Sequence, residues 1–133
     1  MMTHEEVSAF LQRYAVDPWT TGDTDSLDPL VAEGYVLHPG LTLEDLKDAI
    51  RTTRRAVPDL TVRVEESISA DDKIAYRWIM NGTHQPAGAD ASLSSTPVTF
   101  TGITILRLQG NKVVEDRFES SSPPLEEQLG ADA

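Results

Sequence analysis

The sequence predicts an α+β domain in which a conical, curved antiparallel sheet wraps around three N-terminal helices. Helical periodicity, with apolar residues recurring at i, i+3 and i+4, ends near Val57, and from Leu60 onward the repeat is two residues. Turn-forming stretches then divide the later chain into strands spaced as successive antiparallel neighbours. A chain of 133 residues suits one domain spanning residues 1–133, long enough to bury about two-thirds of its unfolded surface.

The first helix is expected in "THEEVSAFLQRYAVD", where Val7, Phe10, Leu11 and Tyr14 make one apolar stripe and Thr3 and Glu6 stand at the spacing of a capping box. "PWTTGDTDS" is rich in turn formers. "SLDPLVAEGY" reads as a short second helix with Leu27, Leu30 and Val31 on one side and Gly34 as its C-cap. The third, "TLEDLKDAIRTTRRAV", turns Leu43, Leu46, Ile50 and Val57 inward behind an N-cap at Thr42, and Pro58 ends it. Arg51, Arg54 and Arg55 read as a solvated face near its C-terminal end.

Four strands follow: "LTVRVEESI", "KIAYRWIMNGTH", "VTFTGITILRL" and "VVEDRFES", with "SADDK" and "QGNK" as turns. Gly102 inside the third reads as a bulge or bend that would let the sheet curl into a cone. "GADASLSS" reads as a mobile loop between the second and third strands, and residues 123–133 as a tail with one helical turn.

Composition removes whole classes of function. With no cysteine, disulfides and thiolate chemistry are absent. Eleven Lys and Arg against 22 Asp and Glu give a formal net charge of −11, a field that repels nucleic acid and anionic membranes. The N-terminus lacks a basic region followed by a long apolar run, and no segment approaches the roughly 18 apolar residues of a membrane span, so a soluble cytoplasmic protein is expected. No metal is expected, because the histidines and acids have no short ligand spacing such as HExxH, and no glycine-rich phosphate loop is present. Ser120 to Ser122 lack the setting of an activated nucleophile.

The phrases "AVPDLTVRVEESISADDKIAYRWIMNGTH" and "FTGITILRLQGNKVVED", with "LEEQLG" near the C-terminus, closely resemble the SnoaL-like polyketide cyclase and ester cyclase group of the nuclear-transport-factor-two-like superfamily. The resemblance implies a pocket between helices and sheet, acid–base chemistry without a cofactor on an apolar polyketide-like substrate, and homodimers formed through the outer sheet face. It places the family's strand histidine on His84 and its histidine–proline pair on His38 and Pro39. The acid–base aspartate of the named cyclases falls at Phe118 in an ungapped alignment, a departure from their pattern.

The residues offer substitutes. On a regular strand Asp116 shares the face of Phe118 while Glu115 and Glu119 face away, whereas a one-residue bulge would hand the place to Glu119. All three also read as exposed carboxylates of an acidic protein. His84 and His38 are candidate proton-transfer groups because imidazole titrates near neutral pH, and each also reads as a structural histidine. His4 reads as a surface residue. Period two puts Tyr76, Trp78, Met80 and His84 on one face of their strand, with Arg77, Ile79 and Asn81 on the other. Arg77 is expected to pair with a carboxylate of the preceding strand such as Glu65. Most aromatics should be core. Trp19, Trp78, Met80, Phe100 and Phe118 are candidate walls for an apolar ligand, and Tyr14, Tyr35 and Asn81 candidate hydrogen-bonding groups.

Three functions remain open: a cyclase or isomerase using Asp116 and His84, a non-catalytic binder of apolar small molecules, and an epoxide-opening enzyme, which lacks an obvious paired-carboxylate motif.

Overall fold

A computed structural model describes residues 2–85, 95–120 and 128 of the chain. Helix α1 (His4–Leu11) opens on the predicted capping box: the Thr3 backbone N–H donates to Glu6 Oε1 at 2.8 Å and the Glu6 N–H to Thr3 Oγ1 at 3.1 Å. The helix continues as a π-helical turn, Gln12–Val16, and then as α2 (Asp17–Thr21). Pro18 lies in the first turn of α2, where the absent N–H is not missed, and Gly22, at φ +83, ends it in the left-handed conformation. What reads in sequence as turn after Asp17 is therefore helix to Thr21.

The expected second helix forms only in its first half, and as a 3-10 rather than an α-helix. Residues Thr24–Leu30 make a 3-10 stretch and Val31–Leu37 a strand, β1. Pro29 removes a donor and disfavours an α-helix through this stretch, and the β-branched and aromatic residues that follow are held by a strand distant in sequence. Gly34 is not a helix cap. Its φ of +84 falls where the β1 register shifts, between Val31 and Val36. Helix α3 (Leu43–Ala56) follows, with Thr42 and Asp45 in a second capping box. It buries Leu46 and Ile50 as expected, and also Lys47, which reaches Asp28 at 2.6 Å. Arg54 is not merely solvated: its Nη1 donates to the carbonyls of Trp19 and Thr20 and so anchors the end of α2.

Strands β2 (Thr61–Ala70), β3 (Lys73–His84), β4 (Thr96–Gln109) and β5 (Lys112–Ser120) form an antiparallel meander. Gly110 and Asn111, both at positive φ, make the two-residue turn between β4 and β5. The sheet order is β1-β5-β4-β3-β2, and β1 runs parallel to β5, so the curved sheet is mixed rather than wholly antiparallel. Its inner face packs on the helices through Tyr14, Leu27, Ile50, Ile74, Leu106 and Val113, a core continued by Val57, Leu60, Met80 and Val98.

The bulge offered as one reading of Gly102 is absent. The residue pairs in register with Trp78 on one side and Ser120 on the other. A Cβ there would lie 2.4 Å from Trp78 Cζ2, so the glycine seats the indole. The expected loop over "GADASLSS" and most of the expected tail lie outside the described residues. From the tail, the Gln128 side-chain amide accepts from the Thr99 N–H at 2.7 Å and donates to its carbonyl at 2.6 Å, extending the pairing of β4 beyond the end of β5.

Candidate active site

Between the helices and the inner sheet face lies a cavity of about 270 Å3 with largely apolar walls. A larger groove of about 370 Å3 runs between α1 and β2, but it is lined by exposed His4, Gln12, Arg63, Glu65 and Glu66 and contains no buried titratable group. Asp116, a buried carboxyl, lines the smaller space instead. Trp19, Trp78, Met80, Phe100 and Phe118 all line it, with Phe118 half exposed at 49%.

Asp116 reaches this cavity because β5 changes phase. Register shifts between Arg107 and Leu108 leave Val114 as an extra residue, after which Glu115 pairs with Arg107 and Asp116 with Leu106. Counting by twos from buried Val113 would put Glu115 inside; the extra residue reverses this, and Asp116 is 6% exposed. From Glu115 to Ser120 the strand is regular, so Asp116 and Phe118 share the inner face while Glu115 faces out.

The two oxygens of Asp116 differ. Oδ2 accepts from the Tyr14 hydroxyl at 2.6 Å, and Tyr14 Oη lies 2.8 Å from Tyr35 Oη. A carboxylate can only accept, so Tyr14 donates to it and Tyr35 donates to Tyr14. Oδ1 is buried without a hydrogen-bond partner. Burial pushes the carboxyl up to about 6, against the opposing effects of the Tyr14 bond and the His38 charge. Burial, with the nearby Asp116 charge, also holds Tyr14, Tyr35 and Tyr76 above the usual phenol range.

The other candidates fall in different places. His38 is beside the cavity and not on its wall: its backbone N–H donates to the Asp116 carbonyl at 2.9 Å, and its Nε2 is 3.1 Å from Glu115 Oε2. Tyr35 acts through Tyr14. His84 is partly buried at the end of β3, paired with Thr96, and does not line the cavity. Alternation does put it on the inner face, but Val57 and Leu60 pack against Gly82, between Met80 and His84. Asn81 is exposed on the outer face, where its Oδ1 accepts from Thr99. Arg77 binds Glu65 there at 2.8 Å. Among the described residues no three His, Asp or Glu side chains converge as metal ligands would, and no helix is long and apolar enough to cross a membrane.

Sequence reasoning missed Tyr76 and Thr104, both buried in the cavity wall. The available signal was the alternation that puts Tyr76 on the face of Trp78 and Met80.

The model of the family described as SnoaL-like polyketide cyclase matches residues 9–129. The chain belongs to this family. Among solved structures, this SnoaL-like protein is similar to TsrD from Streptomyces laurentii, at 21% identity and a TM-score of 0.81, with 98% of this chain and 99% of that one covered. A candidate polyketide cyclase from Bacillus cereus superposes at 25% identity and a TM-score of 0.75, covering 97% of this chain and 85% of its own. A Catenulispora acidiphila protein with a ketosteroid isomerase-like fold, in complex with trimethylamine, superposes at 24% identity and 0.67, covering 99% and 98%. No curated protein matches the chain in sequence.

Proposed function

We propose that the protein is a small enzyme that moves a proton on an apolar, oxygenated, polyketide-like substrate, in a cyclisation, isomerisation or related step, using only groups the chain supplies. Asp116 is the acid–base residue. The observation that carries this reading is its carboxyl group: Asp116 lines an apolar cavity, with one oxygen held by Tyr14 and the other buried without a partner. A buried acceptor left without a donor costs free energy, and a substrate proton brought to it relieves that cost. A carboxyl near 6 is mostly ionised at neutral pH yet basic enough to accept a proton from carbon in the transition state. His38 and Tyr14 are positioning residues, and His84 has no part.

The test does not need the natural substrate. With 2-tetralone as a bicyclic enolisable ketone, the wild-type chain should accelerate exchange of the α-protons in D2O, followed by NMR, and Asp116→Asn should return it to the buffer rate. Undiminished exchange in the variant removes Asp116 from the chemistry.

The outer face of the sheet supports a homodimer. Ile68, Ile103 and Ile105 are 70%, 52% and 46% exposed there, flanked by the Arg77–Glu65 and Arg107–Glu115 pairs. Light scattering should give twice the chain mass, and Ile105→Glu should give monomer.

A further inference from the structure

We propose that Tyr76 is a second catalytic residue, the hydrogen-bond donor to the substrate's carbonyl oxygen, so that the cavity recognises a carbonyl compound bearing a C–H next to the carbonyl. This rests on Asp116 as the base and adds the group that receives the charge.

A phenol stands on the cavity wall while the polar groups around it are committed elsewhere. The Trp78 indole can only donate, and its Nε1 donates to Thr104 Oγ1 at 2.9 Å. Gly102, opposite Trp78, leaves room for the indole to lie in this orientation. Thr104 therefore already accepts, and its direct cross-strand partner is Tyr76. Tyr76 stands beside it on the wall of the cavity, 6% exposed, and among the described residues no carboxylate or backbone carbonyl takes up its phenol proton.

A second chain of donors runs from Tyr35 to Tyr14 to Asp116. That chain leaves Asp116 Oδ1 as an acceptor without a partner, and the same wall carries the Tyr76 phenol as a donor. Among the buried hydroxyls of the wall, Tyr14 is committed to Asp116 and Thr104 accepts from the indole, and among the described residues no Lys or Arg lines the space. Charge developing on an oxygen here meets the phenol of Tyr76.

The step balances. Asp116 Oδ1 takes the proton from carbon, the C–H electron pair becomes the carbon–carbon double bond of an enolate, and the carbonyl π pair moves onto oxygen. That oxyanion accepts the Tyr76 hydrogen bond. Burial and the Asp116 charge keep the phenol protonated, so Tyr76 stabilises the oxyanion without transferring its proton.

Two measurements on the full chain test this. In the 2-tetralone exchange assay, Tyr76→Phe should lower the rate by about 10²–10³-fold, as expected for loss of an oxyanion donor, without moving the pH midpoint set by Asp116. Thr104→Val, which removes the neighbouring hydroxyl and leaves the Tyr76 phenol in place, should lower it less. In binding, Tyr76→Phe should weaken 2-tetralone by up to about tenfold and leave tetralin, the same rings without the oxygen, within about twofold. Exchange by Tyr76→Phe at the wild-type rate overturns the proposal. If the wild-type chain shows no exchange, the Asp116 reading fails instead. The binding arm then decides Tyr76 alone: a ketone-specific loss sustains it, and equal effects on both ligands overturn it.

Discussion

Glu115 and Asp116 are adjacent on β5 and carry the same functional group, yet the fold sends their acidities in opposite directions. Glu115 faces out among Arg107, His38 and Arg117, and the Arg107 and His38 hydrogen bonds hold it below the usual carboxylate range. Asp116 faces in, receives one tyrosine hydroxyl and is pushed up to about 6 by burial. A strand that alternates between a charged outer surface and an apolar hollow thus separates two carboxylates by environment alone. The outward one is fitted to hold an ion pair and the inward one to exchange a proton.

Removing the inward charge should break this contrast most severely. Asp116→Asn should lower 2-tetralone exchange by about 10²–10⁴-fold, the range of general acid–base contributions, whereas Glu115→Gln should leave it within about twofold by the same NMR assay. A second effect follows from the same burial. The folded-state value near 6 exceeds the ordinary 3.8, so the folded protein binds this proton more tightly than the unfolded chain. The associated stability is present below about pH 4 and is lost as pH rises through 6, amounting to about 3 kcal/mol. Asp116→Asn should therefore unfold at a higher denaturant concentration than wild type at pH 8, and that advantage should vanish by pH 4.

Much of this site could be read from the chain. Alternation places Trp78 and Met80 on the inner face of β3, and Asp116 with Phe118 on the inner face of β5, because both segments are locally regular. Counting onward from Val113 would have misled, since the extra residue at Val114 is set by pairing with β4 and leaves no local mark. β1 was not legible for a similar reason: its partner β5 lies some eighty residues away, and Leu27, Leu30 and Val31 fit a helical stripe equally well. His84 follows the face rule and still misses the cavity, because the segment after α3 packs on Gly82. The Tyr14–Asp116 bond joins residues 102 apart, so only the folded core can bring them together.

Tyr14 offers a smaller perturbation of the inward carboxylate. Tyr14→Phe leaves the ring in the core and removes the donor to Oδ2, so both Asp116 oxygens lose protein partners. The cost should be about 1–3 kcal/mol in denaturant unfolding at pH 8, the range for an unsatisfied buried acceptor. The pH midpoint of exchange should rise above about 6, because the bond that favours the ionised form is gone.

The smallest expected effect is at His38, which touches both residues. Its backbone N–H holds the Asp116 carbonyl, its ring meets Glu115, and its charge favours the ionised form of Asp116 less than the Tyr14 bond does. His38→Gln keeps the backbone bond and a side-chain donor for Glu115 and removes the charge. The midpoint should move up by less than in Tyr14→Phe, with the exchange rate at pH 8 unchanged. A large loss at pH 8 would mean that the imidazole itself handles the substrate proton. The division between an outward pair and an inward base would then give way to a single coupled unit spanning both faces of β5.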